Sequence, residues 1–144
     1  MVDVSGKRAT VREAVARGRI LMKRSTLELL RSGRAPKGNV LATAHVAGVL
    51  AAKRTSDLIP LAHPLVLDSV DLAFHLRTAG PAVEIESRVR TCGPTGVEME
   101  ALAAVMLAAL TLYDMLKAVD RGMVMGEFAV LEKRGGRSGV YRRR

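Results

Sequence analysis

The sequence predicts an α+β fold: a four-stranded antiparallel sheet carrying its helices on one face. Three observations predict it. Two neighbouring segments, "SVDLAFHLR" and "AVEIESRVR", alternate apolar with polar residues, as half-buried strands do. The run "GVEMEALAAVMLAALTLYDMLKAV" is Ala-, Leu- and Met-rich almost all round and reads as a buried helix. Segments 10–22 and 123–132 can each supply a further strand, so the order becomes β, two helices, β-β, α, β. That is the split βαβ, ferredoxin-like arrangement with one extra helix, its helices segregated to one side of the sheet.

Each element has a local justification. In "TVREAVARGRILM" the i+4 spacing of Val11 and Val15 permits a helix, while alternation through Arg17, Arg19 and Leu21 permits the strand that the fold requires. "STLELLRSG" is a helix with a Ser25–Glu28 capping box at its start and Gly33 at its stop. Asn39 can cap the next helix, Val40 to about Lys53. Pro60 and Pro64 exclude a continuous helix after it. Val70, Leu72, Phe74 and Leu76 then share one strand face, and "TAGP" turns the chain into a hairpin partner with Val83, Ile85 and Val89 inward. "CGPTG" ends that strand. Thr95 and Glu98 form a second capping box for the long helix, which runs from Gly96 or Val97 to about Val119. "MVMGEFAVLE" is the last strand, followed by the Gly-rich loop "RGGRSG". The sheet's second face is left open; an open apolar face must be covered, and self-association is the simplest cover, so an oligomer is predicted.

A length of 144 residues suggests a single domain, with 1–9 and 134–144 as flexible ends. Hydrophobic residues at 49% exclude general disorder. The single Cys92 allows no internal disulfide and fits a reducing compartment. The N-terminus has no apolar signal-like run, and the longest uncharged helical stretch, Ala101 to Tyr113, is short of the roughly 20 residues that span a bilayer. The prediction is a soluble, cytoplasmic protein with no membrane partner.

Charge is unevenly placed. Residues 1–37 hold ten Lys/Arg against three acids, residues 38–132 hold seven against eleven, and residues 133–144 hold six against none. Two basic ends on a near-neutral body suit an anionic partner: nucleic acid, a membrane surface or a polyphosphate. The final "RRR" also reads as a solvated tail. A basic ferredoxin-like RNA-binding module is the alternative function. It would stack bases on sheet aromatics, and this chain has only Phe74, Phe128, Tyr113 and Tyr141, with no RNP1-like pattern.

The long helix carries Glu98 and Glu100 in its first turn and Asp114 and Lys117 near its end. The helix dipole accounts for Glu98 and Lys117, but an anion at the C-terminal end runs against it. Asp114 and Lys117, three apart, can touch; spacing alone fits a structural ion pair before it fits an acid/base pair. Glu100 and Asp114 point in nearly the same direction, yet lie about 21 Å apart along the axis. Either the ligand is long, or another subunit completes each end. His45 reads as a core or interface residue and His75 as an exposed strand residue. His63 sits in a backbone stiffened by prolines. No metal-ligand spacing, P-loop or nucleophile elbow is present.

"KRTSDLIPLAHPL", "GVEMEALAAVMLAALTLYDMLKAVD" and "GGRSG" together resemble the MoaC family, the cyclic pyranopterin monophosphate synthases of molybdenum cofactor biosynthesis, as do "MVDVSGKRATVREA" and "GRAPKGNVLATAHVAGVLAAKRT". The likeness runs from Met1 to about Gly139. It implies a lyase that converts 3′,8-cyclo-7,8-dihydroguanosine 5′-triphosphate, the product of the radical enzyme MoaA, into cyclic pyranopterin monophosphate plus diphosphate. It also implies a ferredoxin-like homohexamer, a trimer of dimers, with sites at subunit interfaces and no nucleic acid. No cofactor is implied, although Mg²⁺ could escort the triphosphate.

By motif, the resemblance gives Asp114 and Lys117 catalytic roles, with Lys37 joining them. Leu61, Ala62 and His63 match a substrate-contacting segment, and Met99 and Glu100 match another, with Glu98 in the same site. Lys53 and Lys133 match pocket lysines, and Asp3, Lys7 and Arg12 match an N-terminal group that completes it. A buried Lys with its pKa lowered toward neutrality is expected to serve the proton transfers, and fixed cations the triphosphate. The chain departs from the family at Ala62, where Cys is usual, so no thiol can be essential there, and at Arg137, where Lys is common.

Overall fold

The computed structural model describes all 144 residues. The elements in order are β1 (Thr10–Leu21), α1 (Arg24–Arg31), α2 (Val40–Lys53), α3 (Thr55–Leu58), β2 (Ser69–Arg77), β3 (Ala82–Gly93), α4 (Glu98–Leu116), β4 (Val124–Arg134) and β5 (Tyr141–Arg142). The strands form one antiparallel sheet in the order β2-β3-β1-β4-β5. Segment 10–22 is thus a strand. The sheet has five strands rather than the four predicted, because the chain returns after the Gly-rich loop and pairs Tyr141 with Lys133 and Arg142 with Glu132. Arg142 also bonds the Glu132 carboxylate at 3.3 Å, which fastens so short a strand.

Alternation sorts the sheet's two faces. Ala14, Ala16 and Ile20 of β1 and Val83, Ile85 and Val89 of β3 are buried against α4 residues such as Ala101, Val105, Ala108 and Leu112. The half-buried Val70, Leu72, Phe74 and Leu76 of β2 pack on the same cluster. β4 bends at a bulge, where its register with β1 shifts between Arg17 and Arg19 and Glu127 takes a φ of 56°.

The other face is charged, which corrects the expectation of an open apolar surface. Arg17 bridges Glu84 at 3.2 Å and Glu86 at 3.1 Å, Arg77 reaches Glu84 at 3.1 Å, and Arg88 reaches Glu13 at 2.7 Å. Cross-strand pairing of opposite charges suits a solvated sheet face. On the helical side the exposed large apolar side chains include Val46, Leu50 and Leu61, and Met99, Met106 and Leu110 of α4. His45, beside them, is exposed rather than core.

Two helix starts differ from the capping boxes predicted. α1 begins at Arg24 with Lys23 at its N-cap, and α4 begins at Glu98 with Val97 at its N-cap; neither has a side-chain cap. At α1, Asp120 accepts from the Lys23 N–H in place of the local box. At α4, the Glu98 carboxylate is drawn to Lys133 at 3.2 Å. Asn39 does cap α2, its Oδ1 accepting from the Ala42 N–H at 3.1 Å. α4 is long and apolar enough to cross a membrane by length and composition, but half of its most apolar stretch is buried inside the fold. It is the core helix of the sheet.

α2 crosses α4 closely at Gly48, where an added Cβ would stand 2.9 Å from the Ala104 carbonyl oxygen and 2.6 Å from Leu72 Cδ2. The Leu side chain can move, but the helix carbonyl cannot. Gly48→Ala is therefore expected to cost about 1–3 kcal/mol of stability, read as a lower urea midpoint with an unchanged m-value.

Candidate active site

Three groups of polar side chains stand out, two at the N-terminal end of α4 and one at its C-terminal end. The first surrounds a cleft of about 890 Å³ lined by no hydrophobic residue. Lys7 and Arg8 reach it from the N-terminal segment, Arg12 from β1, Lys133 from the end of β4, Arg137 and Ser138 from the Gly-rich loop, and Glu98 from α4. Arg12 is fixed by donating Nε–H to the Gly93 carbonyl at 2.9 Å and Nη2–H to the Pro94 carbonyl at 3.0 Å. Gly135 and Gly136, at φ 95° and 74°, lie directly on β1; a Cβ on the first would strike the Val11 carbonyl and on the second the Arg12 guanidinium. Only glycine lets the loop close this tightly. Lys133 Nζ joins the Glu98 carboxylate at 3.2 Å to Ser138 Oγ at 2.9 Å, tying loop to helix.

The second group adjoins the first, sharing Thr95, Gly96 and Glu98 as a common wall. This recess, about 340 Å³, is lined by Leu61, Ala62, His63, Leu65, Met99 and Glu100 as well. His63 Nε2 lies 2.9 Å from the Val2 carbonyl oxygen. A carbonyl only accepts, so Nε2 carries the proton here. Glu100 is 4% exposed. Burial pushes its carboxyl above the usual range and the neighbouring Glu98 charge adds to this, against a hydrogen bond from its own backbone N–H. Asp3, beside Val2, accepts from the Ser5 N–H at 2.9 Å, which lowers its carboxyl pKa.

The third group lies on the last turn of α4. Asp114 accepts from Lys117 Nζ at 2.7 Å through Oδ1 and from Lys37 Nζ at 3.0 Å through Oδ2, and its carbonyl accepts from Lys37 at 3.1 Å. The hydrogen bonds from Lys117 and Lys37, with their charges, bring the Asp114 carboxyl down to about 2. Asp114 in turn raises the Lys117 pKa. This corrects the expectation of a buried, lowered lysine: in one chain Lys117 is half exposed and its nearest neighbour is an anion.

The structure thus gathers Lys7, Arg12, Glu98 and Lys133 around one cleft, and Leu61, Ala62, His63, Met99 and Glu100 around its neighbour. Lys37, Asp114 and Lys117 stay together at the other end of α4. Lys53 stands exposed at the end of α2, where the chain turns into α3. Arg8, Thr10, Thr95 and Gly96 line the polar cleft without having been singled out as substrate contacts, and Gly136, Arg137 and Ser138 line it from the Gly-rich loop. Their signal was the concentration of cations at both chain ends, which only the fold brings to one place. No group of three or more His, Cys, Asp or Glu side chains is spaced to hold a metal ion.

The comparisons with known proteins agree with one another. A model of the MoaC family matches residues 1–136. The cyclic pyranopterin monophosphate synthase of Heliobacterium modesticaldum is 62% identical over 141 residues, 98% of this chain and 89% of the relative. Those of Pelotomaculum thermopropionicum and Thermomicrobium roseum are 57% and 58% identical, over 100% and 99% of this chain and 85% and 86% of the relatives. With a family match over nearly its whole length and relatives of this identity, the chain belongs to the MoaC family.

Proposed function

We infer that this chain is a cyclic pyranopterin monophosphate synthase. It converts (8S)-3′,8-cyclo-7,8-dihydroguanosine 5′-triphosphate into cyclic pyranopterin monophosphate and diphosphate, in molybdenum cofactor biosynthesis. The observation that carries this, beside the family, is the pairing of a cation-rich cleft lined by no hydrophobic residue with a recess that holds a buried carboxyl and a histidine. A nucleotide-derived triphosphate has the same two parts. Lys7, Arg8, Arg12, Lys133 and Arg137 would hold the phosphates. Glu100 and His63 would face the ring, with Met99 and Leu61 against its flat faces. In the cyclisation a substrate hydroxyl attacks the α-phosphorus, a new P–O bond forms, and the bond to the β-phosphate breaks. Cations at the far phosphates then stabilise the charge of the departing diphosphate.

Proton transfers on the ring need Asp114, Lys117 and Lys37, which one chain holds at the wrong end of α4. Met99, Met106, Leu110, Asp114 and Lys117 form a single exposed stripe along that helix. Met106 is midway between Glu98 and Asp114. Two copies of α4 crossing antiparallel at Met106 would set the Lys37–Asp114–Lys117 group of one copy beside Glu98 and the recess of the other. We therefore read each site as shared by two copies, the pair being the dimer of the homohexamer, a trimer of dimers, that the family likeness suggests.

The remaining parts of the reading follow. The strand order β2-β3-β1-β4, with helical connections on one face, supports a ferredoxin-like fold to which β5 is an addition. The single exposed and unpaired Cys92 fits a cytoplasmic setting, and the substrate would come from the radical enzyme MoaA. The cleft has no aromatic side chain on which to stack bases, which favours the small anionic substrate over RNA.

Purified protein should turn over the cyclic triphosphate; no turnover would overturn the assignment. Lys117→Ala and Glu100→Gln should each abolish it. When these two inactive variants are mixed and allowed to exchange copies, roughly a quarter of wild-type activity should return, since each mixed pair regains one intact site of two. Recovery of none would place both groups in one copy's site. Leu110→Glu should break the pairing and lower activity together, as read by sedimentation.

Glu100 also gives a pH dependence of stability. Its folded pKa is raised above 4.5, so the folded state resists ionisation that the unfolded chain undergoes freely. The destabilisation is absent below the unfolded value and grows as pH rises toward the folded one. Glu100→Gln should raise Tm by a few degrees at pH 8 and leave it unchanged at pH 4, by differential scanning calorimetry.

A further inference from the structure

Asp120, in the turn just past α4, is 2% exposed and bonded on both oxygens. Its Oδ2 accepts from the Lys23 backbone N–H at 2.8 Å and from the buried Thr26 hydroxyl at 3.0 Å, and its Oδ1 from the Gly122 N–H at 3.1 Å. Burial pushes this carboxyl up, and the bonds from Lys23, Thr26 and Gly122 together bring it below the usual range. The residue therefore stays a fully engaged carboxylate. It joins two segments nearly a hundred residues apart in sequence.

Those two segments carry the two lysines that grip Asp114. Lys117 is three residues before Asp120, on the turn whose last bonds run from the Val119 and Asp120 N–H groups to the Leu116 carbonyl. Lys37 hangs from the short connection between α1 and α2. The α2 end of that connection is fixed by the Asn39 cap. Its α1 end is fixed by Leu27 and Leu30, buried in the core, and by Asp120, since α1 has no side-chain cap of its own. A displacement of α1 from the turn that follows α4 would carry Lys37 away from Asp114 while leaving Lys117 in place.

We propose that Asp120 is a positioning residue that holds α1 against the end of α4 and so sets Lys37 in register with Asp114 and Lys117. It touches no substrate and acts only through Lys37. The proposal rests on the reading of Lys37, Asp114 and Lys117 as the proton-transfer group. It needs the clamp to be geometric, not merely stabilising.

The test is a double-mutant cycle with two readouts. Asp120→Asn keeps the size but cannot accept at both positions. It should lower kcat by about 10- to 100-fold, the scale of a misplacement near 1 Å, with KM within twofold, because the cations read as holding the phosphates stand on other segments and keep their places. In a Lys37→Ala background it should lower kcat no further. Independently of activity, the Asp114 carboxyl carbon, followed by NMR titration, should move up from about 2 in Asp120→Asn and in Lys37→Ala by similar amounts, and no further in the double variant. Equal kcat losses in both backgrounds, or an unmoved Asp114 titration, would overturn the proposal. If Asp120→Asn does not fold, Thr26→Val, which removes one bond and keeps shape, decides by the same criteria. Full turnover by Lys37→Ala together with a shifted Asp114 titration would instead overturn the proton-transfer reading and leave the clamp standing.

Discussion

The distance between Glu98 and Asp114 along α4, about 24 Å at 1.5 Å per residue, governs how this protein can work. The helix cannot bend to bring its ends together, because its inner side is buried between the sheet and α2. The charged side chains of this helix stand only at its first and last turns, Glu98 and Glu100 at one end and Asp114 at the other. The chemistry is thus divided by the same packing that makes the fold stable. In the proposed assembly a second copy rejoins it, seated on the exposed methionine and leucine stripe between the two ends.

The charged sheet face has a related consequence. Arg17, Arg77, Arg88, Glu13, Glu84 and Glu86 neutralise one another across strands. Each pair is exposed enough to add little stability. Collectively they leave the face well solvated, so the helical side is the one that gains from burial. The position of unpaired apolar surface, more than its total, then decides which sides of the molecule meet.

Much of the fold was legible because its signals are periodic. β2 appears at the bounds its alternation gave, and α2 begins where Asn39 predicts. The failures share a cause. Ser25–Glu28 and Thr95–Glu98 are sound local patterns, but distant residues shift both starts: Asp120 holds the Lys23 N–H where α1 begins one residue before Ser25, and Lys133 draws the Glu98 carboxylate of the second pattern to itself. β5 escaped because two residues carry no period. At the site, residues such as Glu98, His63 and Lys133 could be named from their motifs. Arg8 and Thr10 could not, since nothing but the three-dimensional convergence of two chain ends distinguishes them from solvated polar residues. The exposure of Lys117 was likewise invisible, because it depends on what covers a helix end.

β5 bears on the loop it follows. With Lys133 paired to Tyr141 and Arg142 to Glu132, residues 135–140 are anchored at both ends. The backbone freedom of a loop that would otherwise trail from β4 is surrendered when the chain folds. Grasping an anion then requires little new ordering, and more of the electrostatic attraction is expressed as affinity. A two-residue strand at the chain's end thereby shifts an entropy cost from the binding step to the folding step.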